Sequence, residues 1–392
     1  MELKNKNLIE KYVESYSDKV KKIAKWLFEH PEPALKENEA AKMLSAFMEK
    51  EGFDVERKYL GMDTAWKAVK SNGKNGPKIA LLAEFDALPG CGHACGHHMI
   101  AAMSVGAGCV LAEMLNNFEG EIAVFGTPAE ETGDGKTYLA ERHAFDDYDL
   151  AIMLHPYFET IVCPDMIAIG GKDFIFKGKA AHAGADPWNG INALDAAVLF
   201  YNAIGVLRQQ MKDRTRIHGI MMEGGKAPNV IPDYSRIRLE WRAPLQKDFD
   251  DMTDKIQKCA EGAALATGCQ LESDWFEPIC NGMRNDPILE SIVKEVMDEC
   301  DVEYSNSETG GSSDVGNVSQ IIPTLSPMFG VTEEKNYGMH TPEFRDATML
   351  PFGQERMLLG VKILALTGLA VFENPCLLKE LREERKTLLK LK

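Results

Sequence analysis

Residues 78–98 read KIALLAEFDALPGCGHACGHH, and the reading of that stretch decides the fold. The run from Lys78 to Ala83 is short and apolar, the pattern of a strand buried on both faces. A loop from Glu84 to His98 follows, with two cysteines, three histidines and two carboxylates in fifteen residues. A long helix of small residues, from about Met99 to Leu115, comes next. Strand, loop and helix in that order put the polar cluster at the carboxyl end of a strand, where open α/β sheets build their sites.

Working outward, the segment from Ile122 to Gly126 is a second buried strand, a helix is expected around Thr137 to His143, and Leu150 to Leu154 is a third strand. Strands alternating with helices predict an α/β domain whose mostly parallel sheet is covered on both faces. Upstream, apolar residues between 8 and 28 recur at helical spacing until His30-Pro31, and a second helix runs from about Glu37 to Lys50, with Gly52 ending it. From about Ile169 the texture changes. A β segment at Phe174 to Phe176, a helix near Asn192 to Met211, strands at Ile217 to Met222 and Ile237 to Trp241, and a helix from Asp248 to Thr267 fit an inserted α+β unit of β-α-β-β-α-β order. A helix from Asn285 to Cys300, a strand from Ile321 to Met328 and an apolar helix from Arg356 to Phe372 complete the larger domain, and the tail from Cys376 to Lys392 reads as a charged helix with a solvated face. The expected division is residues 1–169 and 284–392 for the larger domain and 170–283 for the insert.

Composition is that of an ordinary globular chain: 392 residues, 45% hydrophobic and 27% charged. A net charge of −16 makes it a poor partner for nucleic acid or an anionic membrane. The first twenty residues carry charge throughout and hold no apolar signal core, and the weakly polar stretch from Met99 to Leu111 is too short to span a bilayer. Nine cysteines, an odd number without paired spacing, point to reduced thiols and a cytoplasmic location.

Thiolate and imidazole are preferred ligands of zinc and similar metals, and glycines let side chains of such a loop converge. The alternative is a Gly-rich loop with incidental histidines. Three further elements weigh against it. Glu130-Glu131 follows the strand ending at Gly126, and adjacent carboxylates need a cation or a proton between them; the alternative is a solvated acidic turn. His155 ends an apolar strand at the same predicted sheet edge, although a lone histidine there is more often a packed one. His340, in GMHTP, means little alone. A thiol enzyme, with Cys95 attacking and His97 assisting, uses the same loop differently.

Taken together the motifs resemble the M20 family of metallopeptidases and amidohydrolases, in its branch with a metal-binding cysteine and nearest the subgroup of aminobenzoyl-glutamate hydrolases and M20 dipeptidases. The resemblance is carried by AEFDALPG from Ala83, GHACGH from Gly92, PAEE from Pro128, LHP from Leu154, GKAAHA from Gly178, GGKAPNVIP from Gly224, GSSDVGNVS from Gly311 and His340-Thr341, in family order over nearly the whole chain. It implies two divalent metal ions, Zn2+ first and Mn2+, Ni2+ or Co2+ as alternatives, with Cys95, His97, Glu131, His155 and His340 as ligands and Glu130 as general base. It implies that His182, on a lid or dimerisation domain, reaches into the active site of a partner copy, making the active unit at least a homodimer. Asn229 and Arg242 fall near positions that hold a substrate carboxylate, and Asp86 and Asp314 near positions that support the ligands. The implied reaction is hydrolysis of an amide bond in an N-acyl amino acid, an aminobenzoyl-glutamate-like compound or a dipeptide, by water that the cations activate. His182 would steady the oxyanion. His98 departs from the family, which has Asp or Asn there, and stays outside the ligand set. Cys91 and His218 read as packing residues.

Overall fold

Residues 79–83 are all fully buried, although alternate side chains of a strand point to opposite faces. The sheet they belong to is therefore covered on both sides. In the computed structural model, which describes residues 3–73, 75–307 and 310–390, the strands are β1 Asp54–Arg57, β2 Trp66–Ser71, β3 Lys78–Ala83, β4 Glu121–Gly126, β5 Leu150–Ile152, β6 His155–Tyr157, β7 Ala168–Lys177, β8 Arg216–Glu223, β9 Tyr234–Ala243, β10 Gln270–Trp275, β11 Thr324–Leu325 and β12 Met328–Gly330. The helices are α1 Lys6–Glu29, α2 Asn38–Lys50, α3 His97–Met114, α4 Gly135–Glu141, α5 Ala193–Leu207, α6 Gln246–Thr267, α7 Pro287–Glu299, α8 Val315–Ser319, α9 Pro342–Ala347, α10 Pro351–Glu373 and α11 Pro375–Leu389.

The chain divides into two compact units. The first comprises Met1–Asp165, Met283–Gly310 and Asp314–Lys392, and the second Met166–Gly282 with Gly311–Ser313. The division falls at Met166 rather than at residue 170, because β7 already begins at Ala168.

In the first unit six strands run in the order β1-β2-β4-β3-β5-β11. The β4, β3, β5 and β11 strands are mutually parallel, while β2 and β1 extend the sheet antiparallel. Helix α3 is the centre of this unit. Every residue from His97 to Ala112 is buried, so the helix has no solvent face. Its small residues permit close packing: a Cβ on Gly108 would stand 2.4 Å from Val124 of β4. Helices α1 and α10 pack on α3. Each large aliphatic side chain removed from water here contributes about 1.5–3 kcal/mol, which anchors α3 and the loop before it.

One expected strand is cut short and another breaks in two. Leu150 to Leu154 ends as a strand at Ile152, and His155 opens β6, which pairs in parallel with β12 in a separate two-stranded sheet. Ile321 to Met328 resolves into β11 and β12, because Pro323 and Pro327 have no N–H to give a ladder. Strands β1 and β2 were not expected. The lysines of β2 disguise its alternation, in which Trp66 and Ala68 are buried.

The second unit has the predicted β-α-β-β-α-β order and an antiparallel sheet, β10-β7-β9-β8. Along β9, Ile237, Leu239 and Trp241 are buried, in a core with Phe174, Phe200 and Phe249 from β7, α5 and α6. Arg236 and Arg238 take the other face and pair with Asp173 of β7.

The tail does more than present a solvated face. Within α11, Leu378, Leu381 and Leu388 are buried, and Arg382 and Arg385 reach Asp149 at 3.1 and 3.3 Å. Leu391 and Lys392 lie outside the described residues. Asp149, buried just before β5, also accepts the Lys78 N–H at 2.9 Å, so one carboxylate ties the tail to the start of β3 and β5. Its arginine partners are partly exposed, which weakens the pairs below the value of wholly buried ones. Replacement Asp149→Ala is expected to cost about 2 kcal/mol of stability, read as a lower urea midpoint with an unchanged slope; an unchanged midpoint would show that the tail is not anchored there.

Candidate metal centre

The site is built where β3, β4 and β6 end or begin. After β3 the chain carries Glu84 and Asp86 two residues apart, then turns through the loop to Gly96. Gly96 caps α3 with φ +86°, and a Cβ there would stand 2.7 Å from Pro156. No other residue fits that close approach without a shift, and it seats Cys95 and His97 against the strand that bears His155.

Cys95, His97 and His155 offer ligand atoms that all lie within 4.8 Å of one another. The same is true of Cys95, Glu131 and His340, and again of Glu84, His97 and Glu130. Cys95 thus belongs to two groups, and its thiol lies 3.6 Å from His155 Nε2. His340 arrives from the far end of the sequence. Its backbone N–H donates to Ala94 O at 2.9 Å, and its Nε2 stands 3.7 Å from Glu131. Glu130 and Glu131 sit on a single 3-10 turn after β4. Ala129, before them, adopts φ 57° and is pinned by its N–H to Glu37 Oε1 at 2.9 Å.

Asp86 aligns two of these groups. One oxygen meets His97 Nδ1 at 3.1 Å, and the other accepts the Glu131 N–H at 3.0 Å. With Nδ1 so engaged, His97 turns Nε2 to the cluster, where it has no hydrogen-bond partner among the described residues. His155 does likewise: its Nδ1 contacts Pro156 O at 2.9 Å, which leaves Nε2 toward Cys95. Asp314 stands behind. It accepts the Lys136 N–H at 2.7 Å and pairs with the Lys136 ammonium, which also lies 2.8 Å from Glu84.

Burial pushes the Cys95 thiol up, His97 only partly opposing it, and pushes His155 down to about 4, so this imidazole is neutral at pH 7. Burial also opposes charge on His97, but Cys95 and Asp86 outweigh it and hold the ring well above its ordinary value. Glu130 is raised well above the carboxylate range by burial and then by the charge of Glu84. Glu131 Oε1 is buried without a hydrogen-bond partner among the described residues. Buried acceptors aimed at one another, with a thiol and outward-turned imidazole nitrogens, suit divalent cations.

Not every candidate joins the cluster. His98 is fully buried in another packing site, with Nε2 3.1 Å from Thr348 Oγ1 and its ring against Phe28 and His93. Cys91 stands 3.8 Å from His340 O on the wall of a cavity of about 480 Å³. In the second unit, His182 is exposed, and its Nδ1 accepts the N–H groups of Gly184 and Ala185 at 3.2 and 3.1 Å. Ala183 N donates to Asn229 O at 3.0 Å, so the His182 and Asn229 loops are joined. Arg242 holds Glu240 at 2.9 Å, and His218 meets the same carboxylate at 2.9 Å; His218 is exposed and paired rather than packed. Glu37, Glu84 and Lys136 were missed as site residues. The parity of Glu84 with Asp86 was a usable signal, since residues two apart in an extended chain share a side; Lys136 and Glu37 gave none.

Residues 78–360 match the family model "Peptidase family M20/M25/M40". The chain is 36% identical to the Xaa-Arg dipeptidase of Mus musculus over 95% of this chain and 90% of that one. It is 27% identical to one of the subunits of the p-aminobenzoyl-glutamate hydrolase of Escherichia coli K12, over 96% of this chain and 94% of that one. In three dimensions it resembles a dinuclear metal binding peptidase of the M20 family from Bacillus subtilis, with a TM-score of 0.71 and 21% identity over 92% of this chain and 99% of the other. The chain belongs to peptidase family M20/M25/M40. It is a hydrolytic enzyme that cleaves amide bonds with the help of metal.

Asp86→Ala removes the carboxylate shared by His97 and Glu131 and leaves His97 Nδ1 only the backbone oxygen of residue 86. Metal affinity is expected to fall about 10–100-fold, measured by calorimetric titration of the chelator-treated protein; unchanged affinity would mean that the ligands are held by packing alone.

Proposed function

We propose that this enzyme is a dinuclear amidohydrolase of small carboxylate-bearing substrates, whose two cations would be held by Cys95, His97, Glu131, His155 and His340. The single observation that carries this reading is the membership of Cys95 in two ligand groups, with His97 and His155 on one side and Glu131 and His340 on the other. Zinc suits the thiolate and imidazoles best; the carboxylates also admit manganese, nickel or cobalt. When bound, such cations polarise a carbonyl and make water more acidic.

Glu130 lies next to ligand Glu131 and 3.8 Å from His97 Nε2. It takes the proton of the attacking water and returns it to the leaving nitrogen. His182, supplied by a second copy of the chain, would donate to the oxyanion. Its Nδ1 already accepts two backbone N–H groups, so the neutral ring carries its proton on Nε2, which is free to donate. Asn229, joined to the same loop, and Arg242 serve the substrate carboxylate. Arg242 must release or share Glu240 to do so.

Substrates to test first are dipeptides with a basic C-terminal residue, in view of the mouse relative, and then aminobenzoyl-glutamate and N-acyl amino acids. The insert acts as a lid and as the contact between two copies. Exposed Val198, Leu199, Tyr201 and Val206 on α5 and Ile220, Met221 and Met222 on the edge strand β8 support a second copy there. The nine free cysteines fit a reducing, cytoplasmic setting.

Chelation is expected to abolish turnover and added cation to restore it. Glu130→Gln is expected to lower kcat about 10²–10⁴-fold with metal content intact. Activity that survives a strong chelator would instead assign the reaction to the Cys95 thiol, and equal rates for both proteins on every amide would remove Glu130 from the mechanism.

A further inference from the structure

Glu84 closes β3 with no exposed surface, and neither the five-ligand set nor the choice of base uses it. One of its oxygens faces the Lys136 ammonium at 2.8 Å. The other, Oε2, stands 3.5 Å from His97 Nε2, yet neither atom has a hydrogen-bond partner among the described residues. Two ligand atoms each about 2.0–2.1 Å from one tetrahedral ion stand roughly 3.4 Å apart. The separation of these two unpartnered atoms matches that spacing, as does the 3.6 Å between Cys95 Sγ and His155 Nε2, given the longer bond to sulfur.

The neighbouring charges argue the same way. Lys136 is wholly buried, and Asp314 already satisfies it twice, through the ammonium and through the backbone N–H. A second buried carboxylate on that ammonium leaves one negative charge facing His97 Nε2, an expensive state in a water-free interior unless a proton or a cation stands between the two atoms. Asp86 already takes the other nitrogen of His97, so Nε2 and Glu84 Oε2 are aimed at the same place.

We propose that Glu84 is a sixth metal ligand, binding through Oε2 the cation that His97 holds, with Lys136 as the positioning residue that fixes its other oxygen. The inference rests on the dinuclear reading above. Glu84, His97 and Glu130 bring ligand atoms within 4.8 Å of one another, a group distinct from that of Cys95, Glu131 and His340.

The test is a titration of the chelator-treated full chain with Co2+, following affinity by competition with a chromophoric chelator and geometry by the visible absorption of the bound ion. Wild type is expected to take up two Co2+ per chain. Glu84→Gln is expected to bind one of them at least ~10-fold more weakly, with an altered d–d band, while the other ion keeps its affinity. Because loss of a buried polar group can disturb folding, Glu84→Met, which keeps a similar volume and leaves the Lys136–Asp314 pair intact, is measured beside it and is expected to show the same selective loss. Two ions bound by both variants with wild-type affinity and spectrum would overturn the assignment of Glu84 alone, as would a lower melting temperature without any change in affinity. A wild-type chain that binds fewer than two ions would overturn it together with the dinuclear reading.

Discussion

The carboxylate of Asp86 is the joint on which the site turns. It binds the imidazole of His97, which belongs to the first turn of α3, and the backbone of Glu131, which follows β4. Two parallel neighbours in the sheet, β3 and β4, thereby present their end loops in a fixed relation. The orientation of His97 follows from Asp86, whose carboxylate and backbone carbonyl both meet Nδ1, since a ring nitrogen so held cannot also face the cluster. A donor set assembled this way is set by strand register, and register is strongly specified when every residue of a strand is buried.

Helix α3 supplies the matching constraint from the other side. Buried all round, it cannot rotate or slide without exposing apolar surface on one face and overpacking another. Its first turn carries His97, and the residue before its cap is Cys95, so the positions of two candidate ligands are inherited from the packing of eighteen residues. His98, on the same turn, is committed to Thr348 and to the rings of Phe28 and His93. That contact holds the helix start from behind. It also explains why the imidazole of His98 does not enter the candidate ligand groups.

Most of this was legible in the sequence because it was carried by types and positions that local rules can read. The apolar run ending at Ala83, the glycine-rich loop and the small-residue helix gave the strand, the turn and the core. Cys95, His97, Glu131, His155 and His340 were readable once the family pattern joined them; alone, His155 and His340 were ordinary histidines. The reading failed where neighbours in space, not in sequence, decide. Leu150 to Leu154 looks like one strand, but β6 leaves the sheet to pair with β12, a choice made by residues far downstream. The charged tail hid three leucines at helical spacing and two arginines aimed at Asp149. Lys136 sits in a short helix among polar and small residues, and only the approach of Asp314 from the other end of the chain makes it a buried cation. Glu37 supports Ala129 across a separation no periodicity can span.

The backbone at the site shows how firmly it is held. Among the described residues, eight other than glycine adopt positive φ, and two of them are His340 and Ala129, the latter immediately before Glu130. Each such residue costs on the order of 1 kcal/mol or more and persists only where surrounding contacts require it. Here they can be named: Ala94 O receives the His340 N–H, and Glu37 receives the Ala129 N–H. Strain at these two points aims one imidazole and one pair of carboxylates at a thiol that α3 has already fixed. The folded chain thus bears the ordering of the donors itself, and a cation that meets them need not gather them.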